Sequence, residues 1–145
     1  GLDVARHASL RCGQAEWLVL DSLDGVGPEG VRALLSKTDL LVVPSQKVSR
    51  GAGEGRPHVM AQAFVAGVPV LCGPNRTLVS LARQFNQFVV LDSGPTALAL
   101  AVARALRDKS EFMVARERAV LEGQTLRWEA IGPRWLKVLE QAPLA

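Results

Sequence analysis

The residues with the clearest potential for chemistry lie close together, between positions 54 and 62. Glu54 supplies a carboxylate, His58 an imidazole and Gln62 a carboxamide. His58 and Gln62 are four residues apart, so on a helix they share one face. Gly55 and Pro57 favour a tight turn followed by a helix start. Because the first N–H groups of a helix are free and the positive end of its dipole lies there, this pattern is typical of an anion site.

Each of these features also has a structural interpretation. A glycine-rich turn before a helix often serves only as a connection. Glu54 on a loop can be a solvated charge, His58 can bond a backbone carbonyl, and Gln62 can be a satisfied or half-exposed amide. No obvious nucleophile stands beside His58 or Gln62 in the sequence. The functional interpretation therefore depends on their occurrence together at one helix start.

The apolar pattern around this segment predicts strands that must position it. Four short apolar runs are bounded by Pro, Gly, Asp or Ser, which is typical of strands buried on both faces. A segment with three glycines and no apolar run, residues 45–56, is expected to be an exposed loop. The predicted strands are Trp17–Leu20, Leu40–Val43, Pro69–Cys72 and Phe88–Leu91.

Helical periodicity and capping residues predict the connections. Strands that alternate with helices favour an α/β fold, here a Rossmann-like parallel sheet of about four to five strands flanked by helices, with a helical C-terminal tail. In such sheets ligands bind at the carboxyl ends of strands, where the 45–56 loop falls. Helices are predicted over Leu2–Arg11, from Pro28 to Asp39, from Pro57 to Ala66 with Gly67 as a left-handed C-cap, after caps at Asn75 and Thr96, and from about Ser110 and Leu126.

Composition excludes several classes of protein. At 145 residues with 48% hydrophobic residues, the chain is expected to form one domain with an ordinary core. A net charge of +3 argues against a strongly basic nucleic-acid module, and no apolar run is long enough to span a bilayer. Cys12 and Cys72 are far apart and lack metal-ligand spacing, so neither a disulfide framework nor a metal site is predicted. A soluble protein of a reducing cytoplasm is expected.

Three segments together resemble a known family. Gly53 to Gly73, GEGRPHVMAQAFVAGVPVLCG, looks like the motif of family 4 (group 1) retaining glycosyltransferases of the GT-B fold, in which a Glu, seven residues and a second Glu precede an Ala/Gly-Val-Pro-Val strand. Residues 38–45, TDLLVVPS, resemble the strand that leads into the donor loop. Residues 126–140, LRWEAIGPRWLKVLE, resemble the Trp-containing C-terminal helix. The resemblance runs from about residue 17 to the end of the chain.

The resemblance implies a nucleotide-sugar-binding domain over residues 1–145, the donor half of such an enzyme. Glu54 would be the catalytic acidic residue beside the donor sugar hydroxyls, and Gln62 would take the place of the Glu that binds the ribose. Arg56 would meet a sugar hydroxyl or a carboxylate of an acidic donor. No cofactor or metal is required. The residues implied in holding sugar and phosphate oxygens are Gly55, Arg56, Pro57, His58 and Val59.

The resemblance also implies partners and a cellular role. The reaction would transfer a sugar from a nucleoside diphosphate sugar to an acceptor hydroxyl, in the synthesis of a polysaccharide, lipopolysaccharide or glycolipid. The partner is an N-terminal acceptor domain of the same full-length chain, which this sequence lacks, so the isolated domain is expected to bind donor without transferring it. A bacterial cytoplasmic enzyme is implied, peripheral at the inner face of the membrane where the acceptor is lipid-linked, with no nucleic-acid partner.

Two departures from the family pattern leave alternatives open. Gln62 is neutral where relatives carry Glu, and nothing before Trp17 resembles the glycine turn with Arg and Lys that clamps the donor phosphates. Charged hydrogen bonds are stronger than neutral ones, so ribose binding would be weaker. The alternatives are a non-catalytic nucleotide-sugar-binding or scaffold domain, and a GT-B relative such as a nucleotide-sugar epimerase.

Overall fold

The computed structural model describes residues 2–13, 15–19, 24–45 and 58–141. Over these residues the chain forms three strands and seven helices, with strands and helices alternating in its central part. The elements in chain order are α1 (Leu2–Ser9), α2 (Pro28–Leu35), β1 (Leu41–Val43), α3 (His58–Val65), β2 (Val70–Cys72), α4 (Arg76–Gln84), β3 (Phe88–Val89), α5 (Pro95–Arg107), α6 (Lys109–Thr125) and α7 (Trp128–Gln141).

The three strands form one parallel sheet in the order β1-β2-β3. Leu71 at the centre of β2 lies opposite Val42 of β1 and Phe88 of β3, which fixes the register on both sides. Parallel neighbours cannot be joined by a tight turn, so α3 and α4 serve as the two crossover connections. This arrangement confirms the predicted fold class, an α/β domain with a Rossmann-like parallel sheet flanked by helices.

Side chains alternate between the two faces of the sheet and form a separate core on each face. Leu71 and Phe88 pack with helices α1 and α5, whereas Val70 and Cys72 pack with α3 and α4. The first core contains Ala5, Ala8, Cys12, Leu71, Phe88, Val90, Leu98, Ala99, Val102, Ala105 and Ala115. The second contains Leu35, Val43, Met60, Ala63, Phe64, Val68, Val70, Cys72, Leu78, Ala82 and Ala119.

The prediction of a strand at Trp17–Leu20 is wrong over residues 17–19, which do not form a strand. Trp17 and Val19 are packed against the first core, but Leu18 between them is 65% exposed. A continuous apolar run is typical of a strand that is covered on both faces. Here only one side of the segment is covered, and the side that carries Leu18 faces solvent. The described residues thus hold three strands of the four to five expected.

Two predicted helix caps can be compared directly with the structure. Asn75 caps α4 as predicted, and its side-chain oxygen accepts hydrogen bonds from the N–H groups of Thr77 and Leu78. The prediction of Thr96 as the cap of α5 is wrong, because Gly94 is the N-cap and Pro95 follows it in the first turn. Proline is preferred at the first helical position, and this preference outweighed the side-chain cap.

The C-terminal helices carry most of the exposed apolar side chains. Nine of the fifteen large hydrophobic residues that are exposed among the described residues lie on α6 and α7. On α7 they form one face of the helix: Trp128, Trp135, Leu136, Val138 and Leu139. No helix in the described ranges is both long and apolar enough to cross a membrane.

One buried amide connects three elements at the amino end of the sheet. Gln87 is 8% exposed, and its Oε1 accepts a 2.9 Å hydrogen bond from the N–H of Val70 at the start of β2. Its Nε2 donates to the carbonyl oxygens of Phe85 and Ala115, at 2.9 and 2.8 Å. Gln87 therefore satisfies backbone groups of β2, the α4 terminus and α6 at one point.

Replacing Gln87 tests this network. We expect Gln87→Leu to lower the free energy of unfolding by about 2–4 kcal/mol, because the Val70 N–H would stay buried without an acceptor and the Ala115 carbonyl would lose its bond from Nε2. Urea denaturation followed by circular dichroism measures the change. Gln84→Leu, at an exposed position of α4, is the matched control and should change stability by less than about 0.5 kcal/mol. Equal effects of the two substitutions would contradict the assignment.

Candidate functional site

The candidate site lies at the carboxyl edge of the sheet. Because the strands are parallel, all three end along this edge, β1 before Pro44, β2 before Gly73 and β3 before Val90. Backbone hydrogen bonds continue across the edge: the Gly73 N–H donates to the Val43 carbonyl at 2.8 Å, and the Val90 N–H donates to the Cys72 carbonyl at 2.9 Å. The three strand ends thus form one rigid rim at the position where open α/β sheets bind ligands.

Gly73 is required by close packing at this rim. A Cβ on Gly73 would lie 2.6 Å from the carbonyl oxygen of Ser45 and 3.0 Å from the carbonyl carbon of Pro44. Both are backbone atoms, so no side-chain rotation relieves the clash. Glycine here holds the chain after β1 directly against the connection between β2 and α4. Ser45, the last described residue before the predicted donor loop, is therefore fixed in place.

Helix α3 begins on the same rim, because it follows β1 along the chain and returns to the start of β2. His58 is its first residue, and Gln62 lies one turn further along the same face. Both side chains are exposed, and Val59 between them is half-buried. The structure thus brings His58 and Gln62 together on one accessible face at the end of the helix where N–H groups are free.

The helix is less buried than its sequence suggests. Its residues between His58 and Ala66 are apolar except Gln62, a pattern typical of a mostly buried helix. Met60, Ala63 and Phe64 are buried, but Val65 is 41% exposed and lies on the outer side with His58. The polar face of α3 is open to solvent, so it is free to meet a ligand.

The remaining predicted site residues are Glu54, Gly55, Arg56 and Pro57, and they lie outside the described residues. The same holds for residues 46–56 of the predicted exposed loop. Their expected roles stay predictions. The described chain stops at Ser45, beside the rim, and resumes at His58, the first residue of α3.

Two rim residues were not singled out from the sequence. Gly73 had a visible signal, since it directly follows an apolar run and precedes a proline. Asp92, after β3, accepts a hydrogen bond from the Gly94 N–H through Oδ1 at 3.0 Å and so forms the turn that starts α5. An Asp two residues before a glycine is the sequence signal for that turn.

Cys72 lies at the end of β2 but is not a candidate nucleophile. Its side chain is fully buried, and burial raises the pKa of the thiol from 9.0 to about 12. A nucleophilic cysteine needs a lowered pKa and access to substrate. Cys72 is a core residue that belongs to the layer between the sheet and α3.

Other surface features among the described residues lie away from the rim. Two exposed grooves of about 730 and 320 Å³ border the corner between α5 and α6, and the smaller one includes Asp39 at the amino end of β1. Neither contains a predicted site residue. In the described ranges no group of three or more His, Cys, Asp or Glu side chains is placed to hold a metal ion.

The parallel sheet with helices on both faces defines the described part of the chain as an α/β domain. A family model described as "Glycosyl transferases group 1" matches residues 21–121, more than half of the chain. The chain belongs to the group 1 glycosyltransferases. The matched range includes the rim and α3 and ends before α7, so the resemblance of residues 126–140 stays a prediction. No significant match was found among curated proteins or among solved structures.

The raised pKa of Cys72 predicts how stability depends on pH. In the unfolded chain the thiol ionises above about pH 9, whereas in the folded chain it stays protonated until about pH 12. Unfolding therefore releases a proton in this range, and the stability contributed by the neutral thiol falls as pH rises, by up to about 1.4 kcal/mol per pH unit. Urea denaturation of the wild type and of Cys72→Val between pH 7 and 10.5 measures this difference.

Cys72→Val should show a shallower loss of stability above pH 9, since both proteins retain Cys12 and every other titrating group. A parallel pH dependence of the two proteins would show that the Cys72 thiol does not behave as buried.

Proposed function

We propose that this chain is the donor-binding domain of a retaining GT-B glycosyltransferase, spanning residues 1–145. The observation that carries the proposal is the match to the group 1 family across the sheet rim, which includes the end of β1 and the exposed start of α3. In open parallel sheets this edge is where nucleotides bind, with phosphates at a helix N-terminus. The donor would be a nucleoside diphosphate sugar.

Each predicted residue has a role that its chemistry supports. Glu54 would orient the donor sugar through its hydroxyls, as the catalytic acidic residue. Backbone N–H groups from Gly55 to Val59 would stabilise the negative charge that develops on the leaving diphosphate, with Arg56 and His58 at the sugar or phosphate oxygens. Since fixed amides and a helix dipole supply this stabilisation, no metal or other cofactor is needed. Sugar transfer would proceed with retention at the anomeric carbon.

Gln62 would hold the ribose of the nucleotide. Its exposed position one turn into α3, on the face of His58, is compatible with that role. A carboxamide can accept a hydrogen bond from one ribose hydroxyl and donate one to the other, but without the strength of a charged acceptor. Gln in place of the Glu expected at position 62 favours a second candidate function, a non-catalytic domain that binds or senses a nucleotide sugar.

Transfer would require a second half, the acceptor domain that precedes this one in the full-length chain. The exposed apolar face of α7 supports an additional packing partner, because isolated domains rarely leave two tryptophans and three aliphatic residues of one helix in water. The charges on the rest of α7, Glu129, Arg134, Lys137 and Glu140, cancel, which gives no electrostatic preference for an anionic membrane. We therefore assign this face to the acceptor half.

The cellular role proposed is synthesis of a bacterial polysaccharide, lipopolysaccharide or glycolipid. Such a reaction takes place in the cytoplasm, where nucleotide sugars are made, and at the inner face of the membrane when the acceptor is lipid-linked. Arg56 beside the sugar would suit a donor with a carboxylate.

Substitution of Glu54 and Gln62 separates the two candidate functions. In the full-length enzyme we expect Glu54→Ala to lower turnover by about 10²-fold or more, because the donor sugar loses its orienting carboxylate, while circular dichroism stays unchanged. Gln62→Glu should tighten binding of the preferred nucleoside diphosphate, found by titration with UDP, GDP, ADP and CDP, by about tenfold through a charged hydrogen bond.

The control is Gln84→Glu, the same change on the exposed surface of α4, which should leave nucleotide affinity as it is. Normal turnover of Glu54→Ala would remove this residue from the mechanism. A Gln62→Glu variant that gains no affinity, in an enzyme without transfer activity, would favour the non-catalytic domain.

Substitution on α7 tests the assignment of the acceptor half. Trp135 is 57% exposed in this domain, and Trp135→Glu places a charge in the proposed interface. We expect about tenfold or greater loss of turnover in the full-length enzyme with nucleotide affinity retained, because closure of the two halves and not donor binding is impaired. Lys137→Glu, on the polar face of the same helix, is the matched control. Full activity of Trp135→Glu would contradict the assignment.

A further inference from the structure

Helix α6 lies against the end of α3 at one glycine. A Cβ on Gly123 would overlap the carbonyl oxygen of Phe64 and would lie 2.5 Å from the carbonyl carbon of Phe64 and 2.9 Å from the Cα of Val65. These are backbone atoms of the last turn of α3, so any side chain at position 123 must push the two helices apart. Ala119, one turn earlier on α6, is fully buried in the same core layer.

The end of α3 that meets Gly123 is rigid. The Phe64 carbonyl also accepts a hydrogen bond from the Gly67 N–H at 3.0 Å, and the Val68 N–H donates to the Ala63 carbonyl at 2.8 Å. Gly67 has a φ of +71°, the left-handed conformation that ends a helix. Helix and terminal turn therefore move as one unit, and a push at Phe64 is carried along the helix.

The other end of α3 carries the candidate donor residues. His58 and Gln62 lie on the helix within two turns of Phe64, which is about 9 Å from His58 along the axis. An eight-residue helix is too short to bend over that length without losing hydrogen bonds. A push on its last turn therefore shifts or tilts the helix as one body, and its first turn moves with it.

We propose that Gly123 is a positioning residue for the donor site, and that its lack of a side chain sets the distance between the start of α3 and the carboxyl rim of the sheet. The inference rests on the proposed donor-binding function. Gly123 touches no substrate and acts through the backbone of Phe64. A misplacement of about 1 Å remote from the chemistry is enough to weaken a bound geometry severely.

The experiment compares two Gly→Ala substitutions. Gly123→Ala forces α3 outward, whereas a Cβ on Gly132 of α7 would meet only the Trp128 ring at an ordinary distance of 3.5 Å. Gly132→Ala is therefore the matched control. The measurements are the affinity for UDP, GDP, ADP and CDP by calorimetry, at a temperature where circular dichroism shows each variant folded, and the NMR signals of the His58 ring without nucleotide.

We expect Gly123→Ala to weaken the tightest-binding nucleotide about tenfold or more and to shift the His58 ring signals, while Gly132→Ala changes neither. Unchanged affinity and unchanged His58 signals in a folded Gly123→Ala variant would overturn the proposal. If Gly123→Ala does not fold, Ala119→Ser, which adds one atom to α6 in the same buried core layer, decides by the same two measurements.

Failure of the proposed function gives a different result. In that case the wild type binds none of the four nucleotides, and the His58 signals alone decide whether Gly123 positions α3. A shift confined to residues around Gly123 would then overturn the proposal, and a shift that reaches His58 would support it.

Discussion

Parallel pairing of β2 with both neighbours is the constraint on which the rest of the structure depends. All three residues of β2 are buried on both faces, so the strand is stable only with its backbone groups paired and with helices on each side. Its register aligns the ends of β1 and β3. The rim of the candidate site is thus a direct consequence of how the central strand is held.

Stability and candidate function occupy opposite ends of that sheet. At the amino end, Gln87 connects β2 to α6 through buried hydrogen bonds and to the end of α4 through a partly buried one. At the carboxyl end, Gly73 removes side-chain bulk so that the chain after β1 can lie against β2. The amino end of the sheet is tightly packed. The carboxyl end exposes backbone groups, the start of α3 and polar side chains. This division is what lets one sheet type carry many ligand sites.

Much of the fold follows from sequence pattern, and the exceptions have physical causes. The helices, the caps at Asn75 and Gly67, and the three short strands follow from apolar periodicity and from the preferences of Asn, Gly and Pro. The prediction of a strand at Trp17 is wrong because periodicity does not show whether both sides of a segment are covered. The contact of Gly123 with Phe64 could not be predicted, because it joins positions far apart in sequence and depends on the docking of two helices.

For the candidate site, the sequence pattern predicts where the residues lie along the chain better than it predicts what they contact. The shared face of His58 and Gln62 follows from their spacing, but their exposure depends on which side of α3 meets the sheet. Family membership then gives the coarse class, a glycosyltransferase domain, whereas the role of Gln62 in place of an acidic residue stays a prediction. The chemistry proposed at the rim therefore rests on the short sequence segment between Ser45 and α3.

The proposed donor site is tested most directly by a map of nucleotide contacts by NMR. Backbone amide signals of the chain are followed during titration with the nucleoside diphosphate that binds most tightly. We expect the largest changes at the rim, at Ser45, Gly73 and His58, and no change at Gln87 on the opposite edge of the sheet. Changes centred on the groove between α5 and α6, with no change at the rim, would contradict the placement of the donor site.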